Sequence, residues 1–212
     1  MTADPRRSGG SGGRSPPMPE VRAAQLKEEL AALADMSSEA ATCVLAEVSP
    51  LTLRRIVLAT RVDWLPAELN VELVHAGQRV LGDERLRRWG RAAARHSMSS
   101  SFFGPILQGV IGVFGLSPAA IFRAVPAAYR AAYRGCGEMV VSGDGERVRH
   151  VLLRDLPPVL QDRSFFLALA GSLEGVFDAC ELEGKVRQRS PVIGASVEFE
   201  ATWFPRELLE GR

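Results

Sequence analysis

Three cysteines, three histidines and two tyrosines in 212 residues leave this chain short of the side chains on which most site chemistry is built. Cys43, Cys136 and Cys180 are odd in number, far apart and set among apolar neighbours. That pattern argues against a disulfide framework or a zinc knuckle and predicts reduced, buried thiols in a cytoplasmic protein. Charge of one sign is lacking too. The 26 basic and 25 acidic side chains nearly cancel, to a formal net charge of +1, so the whole-molecule field that steers a chain onto nucleic acid is missing. No apolar h-region follows the early arginines, so no cleaved signal peptide is expected. The uncharged run 102–122 is interrupted by Ser117-Pro118, a capping residue and a first-turn proline. Its apolar part therefore falls short of the roughly 20 residues a bilayer span needs, and no transmembrane segment is expected. The one Gly-x-Ser-x-Gly match, Gly9 to Gly13, lies in a glycine-serine run with no strand before it or helix after it and is no nucleophile elbow. Gly-x-x-x-x-Gly-Lys and His-Glu-x-x-His are missing, which points away from catalysis and from a metal or other cofactor.

What is present reads as α+β: an N-terminal helical layer packed on an antiparallel sheet made of two hairpins, with a long helix between them. Residues 1–19 combine four prolines with the run Ser8-Gly9-Gly10-Ser11-Gly12-Gly13 and predict a disordered tail. Residues 20–204 predict a single domain, helical over 20–135 and hairpin-helix-hairpin over 136–204, followed by a short tail over 205–212. Val21, Leu26, Leu30 and Leu33 mark the inner side of a first helix, with Lys27, Glu28 and Glu29 on its outer side. Ser37 and Ser49-Pro50 start two further helices, and Asp63 with Pro66 starts a longer one that ends at Gly82. From Asp83 to His96 one more helix carries Arg87, Arg91 and Arg95 at spacing four, a pattern that predicts a solvated basic face.

Gly109, Gly112 and Gly115 recur at spacing three on the uncharged helix that follows. Glycine weakens a helix interior, so the natural compensation is a closely packed neighbour or room for a ligand. The next helix contains Ala127-Ala128-Tyr129-Arg130 and then Ala131-Ala132-Tyr133-Arg134. Spacing four stacks the tyrosines on one ridge and the arginines on the next, and Pro126 should kink the run. Tyr129, Tyr133 and Arg130 are read either as an amphipathic core face or as the polar wall of a pocket.

Gly143-Asp144-Gly145 predicts a tight hairpin that opposes Val141 to Val148 and Met139 to His150, with His150 on the same face as Val148 and Leu152. Asp162 can cap the long helix, whose bulky stripe is Phe166, Leu169, Leu173, Val176, Phe177 and Cys180. Its other face is small: Ala168, Gly171, Ser172, Gly175 and Ala179. The bulky stripe should cover the sheet, and the small one should take a close neighbour, with the helix around Gly109 as the candidate. In the last hairpin, the loop Pro191-Val192-Ile193-Gly194 sets Arg187 opposite Glu198, Lys185 opposite Glu200 and Val186 opposite Phe199.

Residues 165–203, through Gly171, Gly175, Gly194 and the strand Val197-Glu198-Phe199-Glu200-Ala201-Thr202-Trp203, resemble bacterial four-vinyl-reductase-like and haem nitric-oxide-binding-like sensor domains. Residues 102–203 are similar to a myxobacterial family of cytoplasmic paralogues. The haem-binding members carry a Tyr-x-Ser-x-Arg signature and a proximal histidine. This chain has no such signature, and His75, His96 and His150 lack the context. Vinyl-reductase-like members often carry cysteines near the last hairpin, where this chain offers Ser196 and, nearby, only Cys180. The resemblance therefore implies the fold and a sensor role without haem or metal.

Two functions follow. The first is a non-enzymatic sensor or binding domain for a small apolar ligand in bacterial signalling, with Gly109, Gly112, Tyr129, Arg130, Tyr133, His150 and Phe177 as pocket candidates. The second is a protein-interaction module, a homodimer or a partner-docking domain, that has no small-molecule ligand.

Overall fold

The computed structural model describes residues 18–100, 103–143, 145–189 and 195–205. Nearly all of the expected N-terminal tail, Asp144 of the first hairpin turn, the second hairpin's loop and the C-terminal tail beyond Pro205 lie outside them. In chain order the elements are β1 (Glu20–Arg22), α1 (Ala23–Met36), α2 (Ser38–Ala46), α3 (Pro50–Leu58), β2 (Trp64–Pro66) and α4 (Ala67–Ser99). They continue with α5 (Gly104–Phe114), α6 (Pro118–Ala132), β3 (Tyr133–Arg134), β4 (Glu138–Ser142), β5 (Val148–Arg154), a 3-10 turn at Pro158–Leu160, α7 (Arg163–Ala179), β6 (Glu183–Gln188) and β7 (Val197–Phe204). The protein is α+β.

Helix starts follow the local chemistry. Ser37, Ser49, Ser117 and Asp162 each accept a hydrogen bond from the backbone N–H three residues on, and Pro50 and Pro118 occupy first turns where no N–H is needed. Asp63 is different: its carboxylate accepts from the N–H of Thr60, and Trp64–Pro66 forms a strand before α4 begins. The expected helix end at Gly82 is a sharp bend, with φ of 73°, so α4 is two helical segments joined at the one residue type that takes this conformation without strain. Helix α6 continues through Pro126.

Two sheets form. The larger has the order β4-β5-β7-β6, all antiparallel, and joins the two hairpins expected from the sequence. The smaller, β2-β1-β3, was not legible in the sequence, because its strands are two or three residues long. In the first hairpin Val141 opposes Val151 and Met139 opposes Leu153, a three-residue shift from the expected pairing, since the chain between the strands is longer than a two-residue turn. An odd shift exchanges the faces of a strand. Val151 and Leu153 therefore point into the core, and His150 and Leu152 point outward. In the second hairpin Val186 opposes Ala201 and Arg187 opposes Glu200. This shift of two residues leaves every side chain on its expected face.

Helix α7 lies between the larger sheet and α4. Its small stripe does meet a close neighbour, but that neighbour is α4 and not α5. A Cβ on Gly171 would come closer than 3.0 Å to the carbonyl group of Arg87, one on Gly90 equally close to that of Ala168, and one on Gly175 would be 2.7 Å from Ala94 Cβ. Helix α5 stands at the edge: nothing lies within 4 Å of a Cβ built on Gly109, Gly112 or Gly115, and Val113, Phe114 and Leu116 are exposed. This uncharged helix is therefore mostly exposed, and the close neighbour expected for its glycines is not there among the described residues.

The expected solvated arginine row is also corrected. Arg87 makes a two-pronged pair with Glu174 (2.9 and 2.7 Å) and Arg91 a similar one with Asp178. Both arginines are half-buried between α4 and α7, whereas Arg95 is exposed as the sequence predicts. Glu174 also accepts the Val186 N–H at 3.0 Å, which ties β6 to the same knot. On α1, Glu28 and Glu29 are buried on the side that the sequence assigns to solvent, Glu28 against Arg61 of the loop after α3 and Glu29 against Asn70 and Trp89 of α4. Of the cysteines, Cys43 is exposed, Cys136 buried and Cys180 half-buried. Among the described residues no single helix is long and apolar enough to cross a membrane.

Candidate functional site

Tyr129 and Tyr133 lie one turn apart, on the last turn of α6 and the first residue of β3, and their rings stack with centroids 4.8 Å apart. The Tyr129 hydroxyl donates to the carbonyl of Cys136 at 2.8 Å and the Tyr133 hydroxyl to Asn70 Oδ1 at 3.2 Å. Burial raises both phenols above their ordinary pKa, and for Tyr133 the neighbouring Glu29 adds to the effect. Both rings therefore act as neutral walls.

Those walls close one side of an apolar cavity of about 170 Å³. Ile121, Val125 and Ala128 of α6 continue the same side. Phe165, Leu169, Leu173 and Val176 of α7 form the second, Val74, Ala94 and Met98 of α4 the third, and Phe103, Ile106 and Leu107 at the start of α5 the mouth. Spacing of three and four brings the residues of α6 and of α7 to one face each, while Val74 and the pair Ala94 and Met98 come from the two segments of α4 on either side of Gly82. The small residues Ala94, Ala124 and Ala128 keep the centre empty.

The polar end of the cavity is Glu29 of α1. Its carboxylate accepts from Gln25 Nε2 at 2.9 Å and from Asn70 Nδ2 at 2.8 Å, and its backbone carbonyl accepts the Trp89 indole N–H at 2.7 Å. Because Asn70 takes the Tyr133 hydroxyl on its oxygen, its NH2 is committed to Glu29. Burial dominates over these two donors and pushes the Glu29 carboxyl up to about 7 from its ordinary 4.5. A second polar group in the wall, Ser97 Oγ, is buried with no hydrogen-bond partner among the described residues.

Of the seven candidates from the sequence, only the tyrosine pair lines the cavity. Gly109 and Gly112 face open space, and Arg130 is exposed. His150 sits on the outer face of the sheet with Nδ1 3.3 Å from the Glu198 carboxylate. Phe177 packs under the sheet against Phe122 and Trp203, with centroids 6.0 and 5.9 Å away. The sequence missed Glu29, Asn70 and Gln25. Only the i, i+4 relation of Gln25 and Glu29 was readable there, and it signals nothing by itself. Burial pushes the thiols of Cys136 and Cys180 up to about 11, so both stay protonated near neutral pH and neither is an activated nucleophile. Among the described residues no cluster of three or more His, Cys, Asp or Glu side chains is arranged to hold a metal ion.

No family model matches the chain and no curated protein matches it. Solved structures do. The Fe(II) unliganded H-NOX protein from K. algicida superposes with a TM-score of 0.56 at 12% identity, covering 87% of this chain and 97% of that one. A Tt H-NOX variant gives 0.58 at 9% identity, with 86% and 94% covered. An oxygen-binding H-NOX domain related to soluble guanylate cyclases gives 0.53 at 9%, with 86% and 94% covered. The chain therefore has an H-NOX-like fold, in line with the resemblance read from residues 165–203.

A haem does not fit the residues present. It would need an axial ligand, partners for its propionates and space. Among the described residues no histidine, cysteine, lysine or arginine lines the cavity, where Met98 and Met139 offer only weak thioether donors. His75 is turned to Asp162 and His96 to Asp35, and both tyrosine hydroxyls are committed within the protein. The cavity is also smaller than the roughly 300–1,000 Å³ typical of drug-sized ligands. It matches the engineered apolar cavity of about 150 Å³ that takes up benzene or xenon.

Proposed function

We propose that this protein is a haem-independent sensor or binding domain for a small apolar ligand, with no catalytic step. The observation that carries the reading is the 170 Å³ cavity of largely hydrocarbon lining that ends on one hydrogen-bonded carboxyl group. An H-NOX-like fold supports it by analogy, because structures of that fold include an oxygen-binding domain. The domain boundaries 20–204 and a place in bacterial, cytoplasmic signalling belong to the same reading. Binding a ligand here would bias the mutual packing of α4, α5, α6 and α7, all four of which form the walls.

The test is calorimetric titration with benzene, toluene and a bulkier bicyclic arene, together with native mass spectrometry of protein purified from its own host. Binding of the benzene-sized probes and loss of that binding in Ala128→Leu are expected. If no apolar probe binds, the ligand-site reading fails. If haem supplementation gives a Soret band that survives desalting, the haem-independent part fails.

A second reading is a dimerisation or docking module. It draws on the exposed apolar side chains Leu51, Val57, Leu58 and Val62 along and just after α3, and Val113, Phe114 and Leu116 at the end of α5. A concentration-dependent dimer in sedimentation, abolished by Phe114→Glu, would move the weight to it.

A further inference from the structure

We propose that the cavity accepts a small apolar amine, its nitrogen against the Glu29 carboxyl group and its hydrocarbon body in the space between α6 and α7. This rests on the cavity being a ligand site and names the class of ligand.

The starting point is a contrast among three buried carboxyl groups, Glu28, Glu29 and Glu174. Glu28 meets the Arg61 guanidinium and Glu174 is held by Arg87. Glu29, on the cavity wall, is held by two neutral amides, Gln25 and Asn70, and no cation bonds to it among the described residues. Both neighbouring side-chain amides are nonetheless aimed at it, and the Tyr133 hydroxyl fixes Asn70 with its NH2 toward the carboxylate. The arrangement supports a charged carboxylate but supplies no counter-charge.

A carboxylate can accept about four hydrogen bonds, and two are taken, so acceptor positions remain. Burial raises the Glu29 carboxyl to about 7 against the two amide donors, and no cation offsets that burial among the described residues. An amine completes the set. Either the nitrogen arrives protonated and meets the carboxylate, or it arrives neutral and takes the proton of the carboxyl group. In both cases the bound pair holds one proton and no net charge, and the resulting N–H···O bond is charge-assisted. The stacked Tyr129 and Tyr133 rings on the same wall offer faces that attract an ammonium. Ser97 Oγ, buried and unpartnered among the described residues, offers a further polar contact in the cavity. An organic acid would set a second carboxylate against Glu29, and a plain hydrocarbon would leave the polar end unused.

The experiment is calorimetric titration of the whole protein at pH 8 with benzylamine, benzyl alcohol and toluene, repeated on Glu29→Gln. Benzylamine is expected to bind the natural protein at least tenfold more tightly than either neutral probe, and Glu29→Gln is expected to remove that preference. A second measurement needs no variant. At pH 5 the carboxyl group is protonated, so an ammonium would enter without a counter-charge and benzylamine affinity should drop at least tenfold while toluene affinity holds. The groups that face Glu29 are Gln25 from α1, Asn70 from α4 and Tyr133 from β3, and of these only Tyr133 titrates, far above this range. The inference is overturned if a neutral probe binds as tightly as benzylamine, if the preference survives Glu29→Gln, or if benzylamine affinity is the same at pH 5 and pH 8. Toluene binding without an amine preference sinks the amine alone; failure of all three probes sinks the ligand site with it.

Discussion

Gly171 of α7 and Arg87 of α4 meet backbone to backbone, so closely that a methyl group on Gly171 would press into the Arg87 carbonyl. One turn further along, the Arg87 side chain crosses the same interface to Glu174. The seam between these helices thus combines close approach with a two-pronged ion pair, and it sets the distance at which the cavity beside it opens.

Gly171→Ala and Gly90→Ala should each cost about 3 kcal/mol, the upper part of the usual cost of overpacking, because the obstructing atoms are backbone. Gly112→Ala is the control. It lies in a helix with open space around it and should gain roughly 0.5–1 kcal/mol. Urea unfolding of the three variants measures both signs.

Glu174→Ala should destabilise by roughly 2–4 kcal/mol, since it strands the Arg87 guanidinium and the Val186 N–H together. A double-mutant cycle with Arg87→Ala should return a coupling of about 1–3 kcal/mol. Simple additivity would show that the pair is only a surface decoration.

Glu29 makes stability depend on pH in the sense opposite to most carboxylates. Its folded pKa, about 7, lies above its ordinary 4.5, so folding favours the protonated form. That contribution is fully present below about 4.5, falls as pH rises, and is gone above about 7. The total is roughly 3 kcal/mol from the size of the shift. Glu29→Gln should flatten the stability curve between pH 5 and pH 7.5 relative to the natural protein, as read by urea denaturation at fixed temperature. Asp83, held down to about 2 by Arg163, acts the other way: its contribution is present above its ordinary 3.8 and is lost as pH falls through 2.

Ala128→Leu should project into the cavity and abolish binding of benzene-sized probes. It should change stability by less than about 1.5 kcal/mol, since it fills space already empty. A heteronuclear NMR spectrum that stays dispersed while probe-induced shifts disappear is the expected result.

Much of the fold was legible because its signals are local. Ser37, Ser49, Ser117 and Asp162 cap the helices the sequence assigned to them, since a cap needs only the N–H three residues on. The two-faced character of α7 was legible for the same reason, as side-chain size at three-four spacing, and so was the pairing of Tyr129 with Tyr133 along one ridge. The α+β order of helices and hairpins follows from such signals taken together.

What the sequence left undecided is which distant residues meet. That α7 packs on α4 and not on α5 depends on Gly90, a single glycine among arginines, and no spacing rule marks it. The registers of both hairpins shifted because turn length and core burial fix them jointly. The functional end of the cavity needed tertiary structure most of all. Glu29, Asn70 and Tyr133 lie far apart in the chain and each reads as ordinary alone. Only when α1, α4 and β3 enclose the carboxyl group does it lose water without gaining a cation, and that loss of water is what turns a surface-like glutamate into the distinctive group of this protein.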